Sequence, residues 1–374
     1  MNLIQYLTNI NLGSGSIAAL PEVLGNLRVR RPLLLTDAGV LATPAFAAIQ
    51  RHLGAEPAIF SDTPPNPTEE AAEAALALYR AQGCDGVVAL GGGSPIDLAK
   101  AVALLATHDG PLAQYALILG GLPRITAAVA PVVAVPTTAG TGSEVGRGAL
   151  ITFRDGRKLG LISPYLIPKH ALCDPDLTLT LPPKLTAATG MDALAHCIET
   201  FLSPRENPVA EAIALDGAGR VARSLERVYR DGNDKAARYD MMAAALMGGL
   251  CFQKGLGAVH SLSHALGAIR DPSLHHGTLN AVLLPPVLRA NAPHVGTKYR
   301  RLLEAMKLSA DADLATEVEN LNRRLGIPAR LSEMGVRDDM LPRVVQGALA
   351  DHSHATNPFQ PTATEYEAIL RSVM

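Results

Sequence analysis

Hydrophobic positions in the first half of the chain come in short unbroken runs separated by amphipathic stretches. RPLLLT (31–36), PAIFSD (57–62), DGVVAL (85–90) and PVVAVPTT (131–138) each read as a strand buried on both faces. Between them, DAGVLATPAFAAIQRHL (37–53) and TEEAAEAALALYRAQ (68–82) carry helical spacing. Thr68 stands at an N-cap position with Glu69 and Glu70 in the first turn, where oxygen atoms meet unpaired amides. A further helix opens at GGGSP and runs to about 107. Strands alternating with helices predict a parallel, doubly wound sheet of Rossmann-like type.

From about 183 the pattern changes. LPPKLTAATGMDALAHCIETFL (181–202), NPVAEAIALDGAGRVARSLERVY (207–229) and DKAARYDMMAAALMGGLCFQ (234–253) all have helical spacing, and strand-like runs disappear. The expected organisation is therefore an α/β dinucleotide-binding domain over 1–182 and an all-α C-terminal domain over 183–374, with Pro182 and Pro183 at the boundary.

Composition narrows the function classes. A chain of 374 residues accommodates two domains, and 48% hydrophobic residues supply their cores. Aromatic residues are only 4%, with no Trp, so those cores are built from aliphatic side chains. The formal charge of -2 and the lack of a long basic run give no footprint of a nucleic-acid binder. No membrane span or secretory signal is expected, because no run of 18 apolar residues exists and the N-terminus lacks a basic start before an apolar core. The four Cys are widely spaced and form no CxxC, which fits a cytoplasmic setting rather than a disulfide framework.

Three places carry candidate chemistry. Gly91, Gly92, Gly93 and Ser94 lie between a buried strand and a helix, where glycines let backbone approach a phosphate and the helix end offers free amides. A tight turn without ligand is the alternative. PTTAGTGSE (136–144) is a second loop after a strand, with Thr137, Thr138, Thr141 and Ser143 as possible donors. Asp37, just past the strand 31–36, suits either a ribose hydroxyl or a helix N-cap. In the second half Asp192 and His196 are four apart, as are His260 and His264, and His275 and His276 follow. One carboxylate with three imidazoles suits Fe(II), Zn(II) or a similar ion, and lacks the thiolates typical of structural zinc.

Together these motifs resemble the iron-containing (group III) alcohol dehydrogenase family, which includes lactaldehyde reductase, glycerol dehydrogenase and maleylacetate reductase. The resemblance runs nearly end to end: PPNPT (64–68), GCDGVVALGGGSPIDLAKA (83–101), PTTAGTGSE, TGMDALAHCIE (189–199), GAVHSLSHALG (257–267) and HHGTLNAVLLP (275–285). It implies that Asp192, His196, His260 and His276 bind the metal, iron or else zinc; His276 is preferred to His275 because it directly precedes Gly277. It further implies that Gly93 and Ser94 bind the NAD pyrophosphate, that Gly92 and Asp97 belong to the same cofactor site, and that Thr137, Thr138 and Thr141 lie toward the nicotinamide. Asn66, Lys158, Leu177 and Leu181 match positions lining the dinucleotide cleft, and Asp37 the position linked to preference for NAD.

The expected activity is reversible hydride transfer between nicotinamide and a small alcohol or aldehyde, with His264 relaying a proton. The segment 10–20 is expected to form an edge that pairs two chains in a homodimer. Alternatives are a metal-independent reductase like maleylacetate reductase, an NAD-using cyclase or lyase like dehydroquinate synthase, and a dinucleotide sensor without chemistry. One departure is visible. Many members carry Asn-Pro-Arg near the C-terminus, whereas this chain has Asn357-Pro358-Phe359, preceded by Asp351-His352-Ser353-His354. This either alters the substrate pocket or forms a surface turn.

Overall fold

The computed structural model describes Tyr6 and residues 8–53, 57–269 and 271–374. One compact unit takes in the described residues up to Thr138 together with Gly142–Leu181. The other takes in Ala139–Thr141 and Pro182–Met374, so a three-residue piece of the PTTAGTGSE loop groups with the helical unit.

The first unit is built on a parallel six-stranded sheet. Its strands are β1 (Asn9–Leu12), β2 (Pro32–Leu35), β3 (Ala58–Phe60), β4 (Gly86–Gly91), β5 (Val132–Pro136) and β8 (His170–Cys173), in the order β1-β8-β5-β4-β2-β3. The remaining strands, β6 (Gly148–Thr152) and β7 (Lys158–Ile162), form an antiparallel pair. Alternation along the strands explains the double winding. Leu33, Leu35, Val87, Ala89, Val132 and Ala134 belong to the core on one face. Their neighbours Leu34, Val88, Leu90, Val133 and Val135 belong to the core on the other.

The four runs expected to be strands are strands; the expected edge segment 10–20 is strand only at its start, in β1, and turns into a short 3-10 helix at Ser16–Ala19, while β6, β7 and β8 did not stand out in the sequence. Helix α1 is Leu20–Asn26. The stretch 37–53 is not one helix but two, α2 (Ala38–Leu41) and α3 (Pro44–Gln50). Pro44 causes the break: Thr43 before it is extended, and Pro then opens the new helix, where its missing N–H costs nothing. Thr68 caps α4 (Glu69–Ala81) by accepting from the Ala71 amide at 3.2 Å. Helix α5 (Gly93–Leu105) follows β4 and is buried along most of its length.

The second unit contains helices α6 (Pro183–Leu202), α7 (Pro208–Arg230), α8 (Lys235–Cys251), α9 (Ala258–Gly267) and α10 (His276–Asn291). After them come α11 (Lys298–Ala305), α12 (Leu314–Arg324), α13 (Leu341–Ala350) and α14 (Ala363–Arg371). Helix α6 is buried on all sides from Thr186 to Leu202, with Leu194, Ile198 and Phe201 in the core. Asp192, His196 and Glu199 are buried in the same helix, and each therefore requires a partner. Among the described residues no single helix is long and apolar enough to cross a membrane.

Candidate metal centre and dinucleotide loops

Helix α6 presents Asp192 and His196 one turn apart; α9 supplies His260, and α10 supplies its first residue, His276. The Asp192 Oδ1 atom lies 3.7 Å from His196 Nε2, 3.9 Å from His260 Nε2 and 3.7 Å from His276 Nε2. Bonds of about 2.0–2.1 Å to a tetrahedral ion would separate neighbouring ligand atoms by about 3.3 Å, so a small inward movement closes this group on a cation.

The surrounding contacts orient the rings. His260 Nδ1 lies 2.6 Å from Glu199 Oε2, and His196 Nδ1 lies 3.2 Å from the Gly140 carbonyl oxygen. A ring that donates from Nδ1 turns its Nε2 lone pair to the centre. Burial, then the His196 and His264 rings, hold His260 well below the usual imidazole range, which keeps it in the neutral, ligating form. Burial also pushes the Glu199 carboxyl up to about 7, against the backbone amides of Val259, Gly257 and His260.

Asn280 tests whether the group fits an ion. Its Nδ2 lies 2.6 Å from Asp192 Oδ1, 3.1 Å from His276 Nε2 and 3.2 Å from His260 Nε2. A carboxylate and two imidazole nitrogens thus converge on one electropositive group, which has only two hydrogens to share among three acceptors. The Asn280 Oδ1 atom is buried with no hydrogen-bond partner. The donor set fits a divalent cation better than it fits an amide.

Two glycines permit this convergence. A Cβ at Gly277 would run into the Ala188 backbone oxygen, and one at Gly140 would sit 2.7 Å from the Thr189 carbonyl oxygen. His275 is the exposed N-cap of α10, its Nδ1 accepting from the Thr278 amide at 3.4 Å, and the four-residue group contains His276. His264 stays outside that group. Its Nδ1 lies 2.9 Å from Asp351 Oδ2, and its ring stacks on His276 at 5.5 Å between centroids. Burial would raise the Asp351 carboxyl, but the His264 ring beside it, with help from His352, holds it well below the usual carboxylate range.

In the α/β unit, Asp37, the 91–94 turn and Thr137 follow β2, β4 and β5, which are adjacent and parallel. They therefore share the carboxyl edge of the sheet, where such folds bind ligands. Gly91 has φ 151°, and a Cβ there would meet Pro95 Cγ at 2.6 Å. Gly92 is the N-cap of α5 and has no side chain to bond its first amides, at Gly93 and Ser94. The Thr137 amide donates to the Gly91 carbonyl at 3.0 Å, tying the two loops together.

Other expected cofactor residues make contacts within the fold, Asp37 as the helix N-cap that the sequence offered as one reading. Asp97 accepts from Ser143 Oγ at 2.5 Å and from the Leu150 amide at 2.9 Å, so each carboxylate oxygen is already engaged. Asp37 caps α2 by accepting from the Val40 amide at 2.9 Å. Asn66, at φ 55°, accepts from Lys158 Nζ at 2.7 Å. Leu177 packs into one of the sheet's cores, Leu181 is half-buried, and Thr141 groups with the helical unit.

Sequence reasoning missed Glu199, Asn280 and Lys100, and it named Asp351 without its pairing to His264. Glu199 had a signal, three residues beyond His196 on the same helix, as did Asn280, four beyond His276. The Asp351 pairing had none, because only tertiary packing brings it to His264. Lys100 is fully buried and donates to Ser143 Oγ at 2.7 Å and to the carbonyls of Gly146 and Gly148 at 3.0 and 2.6 Å. The Asn357-Pro358-Phe359 departure is structural: Asn357 Oδ1 accepts from the Ala258 amide at 3.0 Å, capping α9, and Phe359 stacks on His294.

Comparison with known proteins agrees with this geometry. Residues 8–175 match the iron-containing alcohol dehydrogenase family, and residues 186–374 match the C-terminal part of the Fe-containing alcohol dehydrogenase family. The chain is 54% identical over 382 residues to 4-hydroxybutyrate dehydrogenase of Cupriavidus necator, covering 100% of both proteins. The structure of 1,3-propanediol oxidoreductase superposes with a TM-score of 0.93 at 34% identity, covering 100% of both chains. Sulfoacetaldehyde reductase from Bifidobacterium kashiwanohense, solved in complex with NAD+, superposes with a TM-score of 0.88 at 27% identity, covering 100% of this chain and 99% of that one. A matched family over both halves and a cluster of four side chains able to hold a metal in the helical unit lead to one conclusion: the chain belongs to the iron-containing alcohol dehydrogenase family and is a metal-dependent oxidoreductase acting on alcohols.

Proposed function

We propose that the protein interconverts a primary alcohol and its aldehyde with NAD, and that its substrate is an ω-hydroxy acid such as 4-hydroxybutyrate. The convergence of Asp192, His196, His260 and His276 on one point carries the reaction class. The full-length relative named 4-hydroxybutyrate dehydrogenase supports the substrate. When bound, the ion, Fe(II) or Zn(II), supplies a Lewis acid toward the alcohol oxygen, and the nicotinamide exchanges the hydride.

The chain's own residues do the rest. Asp192 and the three imidazoles hold the ion, while Glu199 and the Gly140 carbonyl fix two ring orientations. Gly92, Gly93 and Ser94 give backbone amides to the pyrophosphate, and Asp37 faces the ribose. Thr137, Thr138 and Thr141, with Asn66, Lys158, Leu177 and Leu181, complete the dinucleotide set, and Asp97 braces the loop through Ser143. His264, held by Asp351, passes the proton between alcohol and solvent. The edge strand β1 is the surface assigned to homodimer formation, and four free thiols support a cytoplasmic location.

The test is NAD-linked turnover of purified, Fe(II)- or Zn(II)-loaded protein with 4-hydroxybutyrate, 1,3-propanediol and unsubstituted alcohols. Highest kcat/KM for 4-hydroxybutyrate is expected, and His264→Ala should lower kcat by about 10²-fold while NAD and metal remain bound. Preference for an uncharged alcohol would overturn the substrate assignment. Unchanged kcat and pH profile in His264→Ala would remove that residue from the mechanism.

A further inference from the structure

Beside the four-ligand group lies a second set of ligating side chains. His264, Asp351 and His352 each offer one ligand atom, all within 4.8 Å of one another. We propose that these three residues form a second divalent-cation site, selective for first-row transition ions, distinct from the site centred on Asp192.

The geometry is close to that of a bound ion. The 2.9 Å between His264 Nδ1 and Asp351 Oδ2 matches the edge of an octahedron with bonds of about 2.1 Å. His352 Nδ1 lies 3.7 Å from the other oxygen, Asp351 Oδ1, and its ring stacks on His264 at 5.8 Å between centroids. One carboxylate between two imidazoles is a donor set that favours Fe(II), Co(II), Ni(II) or Zn(II) over Mg(II) or Ca(II).

Two of the three ligands are already fixed. His264 is held in α9, whose N-terminus Asn357 caps, and Asp351 closes α13 as its C-cap. The Asp351 carboxylate is further held by the Ser353 amide, which donates to Oδ1 at 2.8 Å. His352 is exposed, so it gives an ion access and leaves positions open to water. The ordering cost of binding therefore falls mainly on one surface side chain.

An ion here would replace the His264 Nδ1 proton, which in the relay reading is donated to Asp351. On that reading excess cation slows turnover, but the site itself stands or falls on binding. The experiment is equilibrium dialysis of the full-length protein against Zn(II) or Co(II), with metal analysis of the dialysed chain. Wild type should saturate at about two ions per chain, the second binding more weakly. His352→Ala should saturate at about one, keeping the tight ion, whereas substitution of the exposed His275 by Ala should leave both. Saturation of wild type at about one ion, or retention of the second ion by His352→Ala, overturns the proposal. Failure of the Asp192-centred reading is separate: it shows as a tight ion that survives His260→Ala.

Discussion

Two buried carboxyl groups, Glu199 and Glu144, are both pushed up to about 7 by burial, yet their surroundings differ. Glu199 has the His260 ring beside it and accepts from the backbone amides of Val259 and His260. Glu144 keeps one oxygen, Oε1, with no hydrogen-bond partner. Its ordinary value is 4.5, so the folded chain retains that proton between 4.5 and about 7 while the unfolded chain has released it. Stability therefore falls as pH rises through this window, and the loss is complete above it. Glu144→Gln should flatten the decline and raise stability at pH 8 by at most about 3 kcal/mol. Denaturation midpoints at pH 5 and pH 8 check this; an unchanged slope in the variant would place the titration elsewhere.

At the scale of elements, the ligand set depends on how closely helices begin and meet. Gly277 lets the start of α10 lie against Ala188 of α6, because any side chain there meets backbone. Gly277→Ala should shift His276 away from Asp192 and weaken metal binding about 10- to 100-fold, the scale seen when support for a ligand is lost. Metal retention against a competing chelator measures it, and wild-type retention would mean that α10 adjusts without moving His276. Much at this scale was legible beforehand. Unbroken runs such as DGVVAL gave the buried strands, and the four-residue spacing of Asp192 with His196 gave one face of the site. The strand β8 was missed, and β1 was read only as part of the longer edge segment 10–20. The hairpin β6–β7 was missed as well, because its interrupted alternation resembles loop as much as strand. The His264–Asp351 pair spans 87 positions, and no local spacing encodes it.

For the molecule as a whole, the proposed function assigns cofactor choice and metal retention to different units. Asp37 follows β2 in the α/β unit, where one carboxylate oxygen caps α2; in the proposed function the other meets a ribose or repels a phosphate. Asp37→Gly should narrow the preference for NADH over NADPH, measured as the ratio of kcat/KM values, and leave metal content as in wild type. Wild-type preference for NADPH would contradict the placement. Metal content should respond instead to changes in the helical unit, which contains all four proposed ligands.

The ligands of that centre run from position 192 to position 276, with α7 and α8 threaded between them. An ion held there acts as a clasp on a long stretch of chain. It ties α6, the first helix of the unit, to α9 and the start of α10 much as a covalent cross-link would, and the denatured chain has no preformed counterpart to compete for it. Metal binding and folding thus become a single equilibrium, with free cation raising stability as RT ln(1 + [L]/Kd). Stripping the ion with a chelator should lower the melting temperature and expose the segment between the ligands to protease first. Replenishing Fe(II) or Zn(II) should restore both, whereas identical melting with and without chelator would show that the helices hold without the clasp.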